Sequence, residues 1–233
     1  MKYFKSQSAA FHPVKLPCRG WILLFCGLAF SVCGFAADLE ALVAGLQQRY
    51  ASVDTVKADF LQTYHAPGIE QIESGTLWMK KPGRMRWEYR DPETKLFVAD
   101  GHESYVYVPE DRQVTVQAFS ASDMHSTPLE FLLGSGDIKK SFNVSLESEF
   151  KPKASGTLLL RLEPFNPVSE YSFFVLEVNE NTYDLSRIVI HEPGGSTSEF
   201  LITNLETNVQ VDDERFRFKI PKGVEVIRFD ANE

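Results

Sequence analysis

The stretch LWMKKPGRMRWEY, residues 77–89, decides the fold. Pro82-Gly83 separates two runs whose side chains alternate in character, which predicts a β-hairpin. In the second run Met85, Trp87 and Tyr89 fall on one face, and Arg84, Arg86, Glu88 and Arg90 on the other. In the first run Leu77, Met79 and Lys81 share a face, opposite Trp78 and Lys80. The hairpin therefore has an apolar inner face and a charged outer one, and Lys81 is the odd member of the inner set. An ammonium directed into an apolar space needs a partner, either backbone carbonyls or a carboxylate, unless its stem reaches water at the strand end. The outer charges form a solvated face or a docking surface for an acidic partner or anionic lipid.

The same period of two runs outward in both directions. VKADFLQTY (56–64) places Val56, Ala58, Phe60, Gln62 and Tyr64 on one face. After the hairpin come KLFVAD (95–100), ESYVYVPE (103–110) and RQVTVQAF (112–119), joined by turn residues. Further strands are expected at 141–150, 156–164, 171–180, 185–192 and 197–208, and the chain closes with ERFRFKIPKGVEVI (214–227). Short strands separated by Pro, Gly, Asn and Asp predict an antiparallel meander. The sequence thus predicts one mainly β domain of about 10–11 strands, with a few short helices.

Two segments carry a helical period instead. DLEALVAGLQQRY (38–50) puts Leu39, Leu42, Val43 and Leu46 at i, i+3, i+4 and i+7, with Tyr50 extending the stripe and Asp38 as the expected N-cap. STPLEFLLGSG (126–136) aligns Leu129, Leu132 and Leu133 on one face, with Pro128 suited to the first turn and Gly134-Ser135-Gly136 as a stop. Each has a single apolar face, suited to capping a β structure.

The N-terminus reads differently. Lys2, Lys5, Lys15 and Arg19 precede an uncharged apolar run, WILLFCGLAFSVCGFAA (21–37), with Gly34 and Ala36 at the −3 and −1 positions of a cleavage site. This predicts a secretory signal peptide over residues 1–36 and a mature domain over 37–233. The run is also compatible with an uncleaved anchor, although it is shorter than the ~20 residues of a membrane span. Cys33 as a lipid-attachment cysteine fits poorly, because Phe30-Ser31-Val32 precede it. Cleavage would remove all three cysteines (Cys18, Cys26, Cys33), and with them any disulfide or thiolate chemistry. It would also leave 20 basic residues against 32 acidic ones, a net charge of about −12. Nucleic acid, which demands a basic face, is not an expected partner.

No catalytic constellation emerges. The mature histidines, His65, His102, His125 and His191, form no H-E-x-x-H pair and have no cysteine beside them. There is no G-x-S-x-G elbow and no glycine-rich phosphate loop. No cofactor or metal is expected, and a hydrolase is disfavoured.

One further pattern remains. W-x-K-K-P-x-x-x-x-W (Trp78 to Trp87) follows an amphipathic helix and a strand carrying Phe60 and Gln62. It precedes an Asp100-Gly101 hairpin, the TPLEFLLG segment and a C-terminal FRFKIPKGVEVI. In that order these resemble the LolA family of outer-membrane lipoprotein carriers over nearly the whole mature chain. The resemblance implies an incomplete, half-open antiparallel β-barrel with a lid of short helices over a hydrophobic cavity, in a monomeric periplasmic protein. It implies acylated lipoproteins as cargo, taken from an inner-membrane ABC transporter complex and passed to an outer-membrane receptor. It assigns Val56, Phe60, Leu77, Met79, Met85, Trp87 and Tyr89 to the cavity wall, and Leu46, Tyr50, Leu129, Leu132 and Leu133 to the lid. It makes Lys81 the lid latch, at a position where the family carries an arginine. Lysine keeps the charge but loses the planar fork. Met85 stands where the motif has an aromatic, a softer wall. A lipid or glycolipid carrier of the same fold, and a lipid-sensing regulator, are the alternative readings.

Overall fold

Val56, Ala58 and Phe60 are buried in alternation along the first strand, and the sheet grows from that alternation. The computed structural model describes residues 33–119, 137–166 and 171–229. The first element is helix α1 (Cys33–Ala51). Then follow β1 (Thr55–Ala66), β2 (Ile69–Lys80), β3 (Arg84–Asp91), β4 (Lys95–Ala99), β5 (Glu103–Val108) and β6 (Gln113–Ala118). A short helix α2 (Ile138–Ser141) leads into β7 (Phe142–Leu146), β8 (Thr157–Pro164), β9 (Phe173–Asn179), β10 (Leu185–His191) and β11 (Thr197–Thr207). A single 3-10 turn (Asp213–Phe216) precedes β12 (Glu225–Phe229).

All twelve strands form one sheet in the order β12-β6-β5-β4-β3-β2-β1-β11-β10-β9-β8-β7. The sheet is open: β12 and β7 are its two edges and do not pair with each other. Every pairing is antiparallel except β12 with β6, which is parallel. The architecture is mainly β, a half-open antiparallel barrel. The extra strand beyond the expected 10–11 is β12, and β2 begins at Ile69, five residues before the expected 74.

The hairpin faces fall as the alternation requires. Leu77 lies opposite Trp87, and Met79 opposite Met85. Across the other ladder Val56 faces Met79 and Ala58 faces Leu77. Gly75 sits where Phe60 needs room: a Cβ there would stand 2.0 Å from the Glu88 carbonyl oxygen and 2.9 Å from the Phe60 ring. Phe60 uses that space to meet Trp87 and Tyr89 edge-on, each with ring centroids 5.0 Å apart.

Helix α1 lies against the concave side. Leu42, Val43, Leu46 and Tyr50 are buried in one cluster with Val56, Leu77, Met79, Leu160, Leu162, Leu176 and Leu185. Helix α1 covers Cys33–Ala51, so Asp38 lies inside it and is not its N-cap. Ala36 and Ala37, the best helix formers, carry the helix through Asp38 despite Gly34 in the same stretch.

The convex side is clad at both flanks by returning chain. Over β3–β6, Phe218 and Val224 pack on Val98, Tyr105, Val114 and Val116. Over β8–β10, the β7–β8 connection folds back. There Glu177, 1% exposed, accepts from the backbone amides of Lys153 and Ala154 and pairs with Arg187 at 2.6 Å. Between the flanks, Leu61 on β1 and Ile72 on β2 are exposed.

Candidate functional site

The concave side is filled at one end and hollow at the other. Under α1 the side chains close-pack. Beyond it lies an apolar cavity of about 390 Å³. Met85, Trp87, Tyr89, Phe97, Phe174 and Phe200 line it, with Lys95, Leu96, Val106, Tyr171, Ile188 and Ile190 completing the wall. Strands from both halves of the sheet contribute, which only the curvature of the half-barrel brings together. Trp87 and Phe200 meet across it at 5.6 Å.

Three of the expected wall residues, Met85, Trp87 and Tyr89, line this cavity. Val56, Leu77 and Met79 do not; they are buried beneath α1. Phe60 stands behind the wall, against Trp87 and Tyr89. The reason is position along the strands. These residues share the inner face with the wall, but lie at the end of the sheet that the helix occupies. The other lining residues come from later strands, and no local pattern announces which of their apolar positions face a space.

Of the expected lid residues, Leu46 and Tyr50 belong to α1 and are 2% and 1% exposed. Leu129, Leu132 and Leu133 lie outside the described residues. The seat of α1 is fastened at several points. The Tyr50 hydroxyl accepts from the Leu185 amide at 3.0 Å, and burial pushes its pKa up to about 12. Arg49 pairs with Asp184 at 3.0 Å and donates to Thr207. Gln47 reaches Asp137, and Glu40 pairs with Lys139. Gly45 is pressed to the Tyr183 ring so closely that a Cβ would lie 2.3 Å from it.

Lys81 reaches the same helix. Its Nζ donates to the carbonyls of Tyr50 and Ala51 at 3.0 and 3.1 Å, at the helix C-terminus. The Tyr50 carbonyl also accepts from the Val53 amide at 3.2 Å, and the negative end of the helix dipole favours a cation at both carbonyls. Burial holds the Lys81 pKa below the usual lysine value, against the opposing pull of Asp54.

The outer charges of the hairpin are engaged within the chain. Lys80 and Arg84 both pair with Asp213 of the 3-10 turn, at 2.5 and 2.9 Å. Arg86 pairs with Glu88 and donates to the Arg215 carbonyl. Arg215 in turn stacks its guanidinium over Trp78 at 4.4 Å. These charges, expected as a solvated face or a docking surface, are thus met by the chain's own C-terminal segment.

Among the described residues no cluster of His, Cys, Asp and Glu could hold a metal ion. Among them, too, no helix is long and apolar enough to cross a membrane.

An open half-barrel, with a helix packed into one end of its concave side and an apolar hollow at the other, defines a class of β proteins built around an internal greasy space. The chain belongs to the LolA family, described as outer membrane lipoprotein carrier protein, whose family model matches residues 51–219. An outer-membrane lipoprotein carrier protein of Bordetella avium is 28% identical over 198 residues, covering 82% of this chain and 91% of that protein. One from Hahella chejuensis is 30% identical over 204 residues, covering 86% and 92%. Among solved structures, an uncharacterized conserved protein from Thermus thermophilus superposes with a TM-score of 0.51 at 11% identity, covering 82% of this chain and 98% of that one. This last likeness concerns the fold alone.

Proposed function

We propose that the chain is a periplasmic lipoprotein carrier, non-enzymatic and monomeric, whose mature form starts after Ala36. It takes the acyl chains of a lipoprotein released by an inner-membrane ABC transporter complex and delivers them to an outer-membrane receptor. The observation that carries the reading is the apolar cavity on the concave face, in a chain whose family is named for lipoprotein carriage. A long acyl chain is worth on the order of 10 kcal/mol of burial, at about 0.8 kcal/mol per methylene. An escort through water must enclose it, and must also have an empty state stable enough to let it go. Lys81 and α1 supply that empty state: the ammonium on the last helical carbonyls holds the helix over Val56, Leu77 and Met79. The wall residues Met85, Trp87 and Tyr89, with Phe174, Ile190 and Phe200, contact the acyl chain.

The test is binding of a fluorescent triacylated lipopeptide to residues 37–233 and to the Ile190→Trp variant, which fills the cavity. One ligand per chain, with affinity lost in the variant, is expected. Undiminished binding by a stably folded variant would remove the cavity from the reading. Mass spectrometry of material bound to the protein from the periplasm separates the cargoes: lipoprotein supports the carrier, and phospholipid or glycolipid alone would replace it.

A further inference from the structure

Among the described residues the cavity wall holds one charged side chain, and it is not needed for storing hydrocarbon. Lys95 lines the cavity beside Tyr89, Phe97 and Phe200. Its Nζ lies 2.5 and 2.6 Å from the two carboxylate oxygens of Glu73 and 4.3 Å from the centre of the Tyr89 ring. The Glu73 side chain is 8% exposed and that of Lys95 29%. Register places the group together on the inner face: Gln62 lies opposite Glu73, and Tyr89 opposite Lys95. The Tyr89 hydroxyl donates to Gln62 Oε1 at 3.0 Å. Burial, then the Glu73 charge, push the Tyr89 phenol up, so it keeps its proton.

A largely buried ion pair roughly breaks even against an apolar pair of the same size, so stability alone gives no reason for it here. It does give the apolar hollow a polar end. We propose that Glu73 and Lys95, with Gln62, form an anchoring site for the neutral carbonyl of an ester- or amide-linked acyl chain, at the point where the chain leaves the cavity. The proposal rests on the carrier reading and names the chemistry that the site selects.

The donor inventory supports a carbonyl. An ammonium has three N–H groups, and Glu73 engages two. The third, and the Gln62 Nε2 protons, which have no acceptor among the described residues, suit a carbonyl oxygen. The charge balance argues against an anion. A fatty-acid carboxylate brought to Lys95 meets the Glu73 carboxylate already on it, and like charges repel. The pair therefore selects acyl esters and amides over free fatty acids. Lys95, Glu73 and Gln62 are specificity-determining residues on this view, and Tyr89 positions them, with its ring against the ammonium and its hydroxyl on Gln62 Oε1.

The experiment compares three ligands of equal chain length on residues 37–233: a diacylglyceryl-cysteine lipopeptide, its di-ether analogue lacking the carbonyls, and the free fatty acid. The expected preference for ester over ether is about tenfold, the worth of one charge-assisted hydrogen bond. Lys95→Met should remove most of the ester-over-ether preference, read as the ratio of the two affinities within the variant. Lys95→Arg should keep the preference, and Glu73→Gln should improve fatty-acid binding. The double variant Lys95→Met/Glu73→Leu leaves no charge unpaired, and should likewise bind both lipopeptides alike. Equal binding of ester and ether by the native protein overturns the proposal and leaves the carrier reading intact. So does an equal loss for both ligands in the double variant. Failure of all three ligands to bind overturns both.

Discussion

Replacing Lys81 by methionine removes the ammonium from the end of α1 and keeps the length of the side chain. Two hydrogen bonds are lost, to the Tyr50 and Ala51 carbonyls. A buried charged donor would be worth about 1.5–3 kcal/mol. Lys81 is only half-buried, and water can replace it at the exposed Ala51 carbonyl. A charge at a helix terminus contributes about 0.3–1 kcal/mol under such conditions, so a net loss of about 1 kcal/mol is expected. Against this stand Leu42, Val43, Leu46 and Tyr50, between 1% and 4% exposed. At about 1.5–3 kcal/mol each they hold α1 with up to ~6–12 kcal/mol, an upper bound because the unfolded chain is itself partly compact. The apolar seat outweighs the latch. The variant should therefore fold with α1 in place, and its opening should become about five times more frequent. Hydrogen exchange of the amides of residues 42–50 reads this directly, with protection falling about fivefold and strand amides following only the small global loss. Melting should drop by about 2–4 °C for a domain of this size. Lys81→Arg, with its planar fork on two carbonyls, should move both readouts the other way. Unchanged protection in α1 would refute the latch. A loss of a hundredfold or more would refute the apolar arithmetic, because the helix would then depend on the lysine.

Two other perturbations probe the seat and the cladding. Gly45→Ala gains about 1 kcal/mol of helix propensity but drives a methyl into the Tyr183 ring; a net loss of about 1 kcal/mol is expected by chemical denaturation, turning into a gain in a Tyr183→Ala background. Glu177→Leu leaves Arg187 buried without its main partner and should cost about 3–5 kcal/mol. In the native protein burial pushes Glu177 up, yet the amides of Ala154 and Lys153, the Thr157 hydroxyl and Arg187 outweigh it and hold the carboxyl below the ordinary glutamate range. Its contribution is thus complete above that range and lost as pH falls through the lowered value, so the variant's stability should fall less steeply on acidification. A parallel acid slope in the two proteins would count against that assignment.

The hairpin at 77–89 was legible because a period of two has only two faces, and one of them was apolar. The alternation placed Met85, Trp87 and Tyr89 correctly, and it marked Lys81 as needing carbonyls or a carboxylate. What it could not supply was distance along the strand, so Val56, Leu77 and Met79 were indistinguishable from true lining residues. Phe174, Ile188, Ile190 and Phe200 face the cavity only because β9–β11 curl round to meet β3–β5, a contact between residues about a hundred positions apart. β12 escaped for the same reason: its partner β6 is distant in sequence, and its parallel pairing leaves no hairpin signal. The partner of the outer charges was not legible, because Asp213, which pairs with Lys80 and Arg84, lies in a segment that alternation cannot bring near them. Lys95 carried a weak signal, a basic residue in register with an inner-face tyrosine, which becomes readable only once the β3–β4 pairing is known.

The cladding of the convex side gives the sheet an uneven stiffness. At one flank the C-terminal segment is riveted through Phe218 and through Asp213 to Lys80 and Arg84; at the other the β7–β8 connection is riveted through Glu177. Each acts as a splint, so a change of curvature there must break contacts on both sides of the sheet. Between them, at Leu61 of β1 and Ile72 of β2, the outer surface is exposed. The half-barrel is thus buttressed at both flanks and bare between them. Its hollow is walled by strands of both buttressed flanks, so the same outer contacts that hold each flank also hold the wall in place.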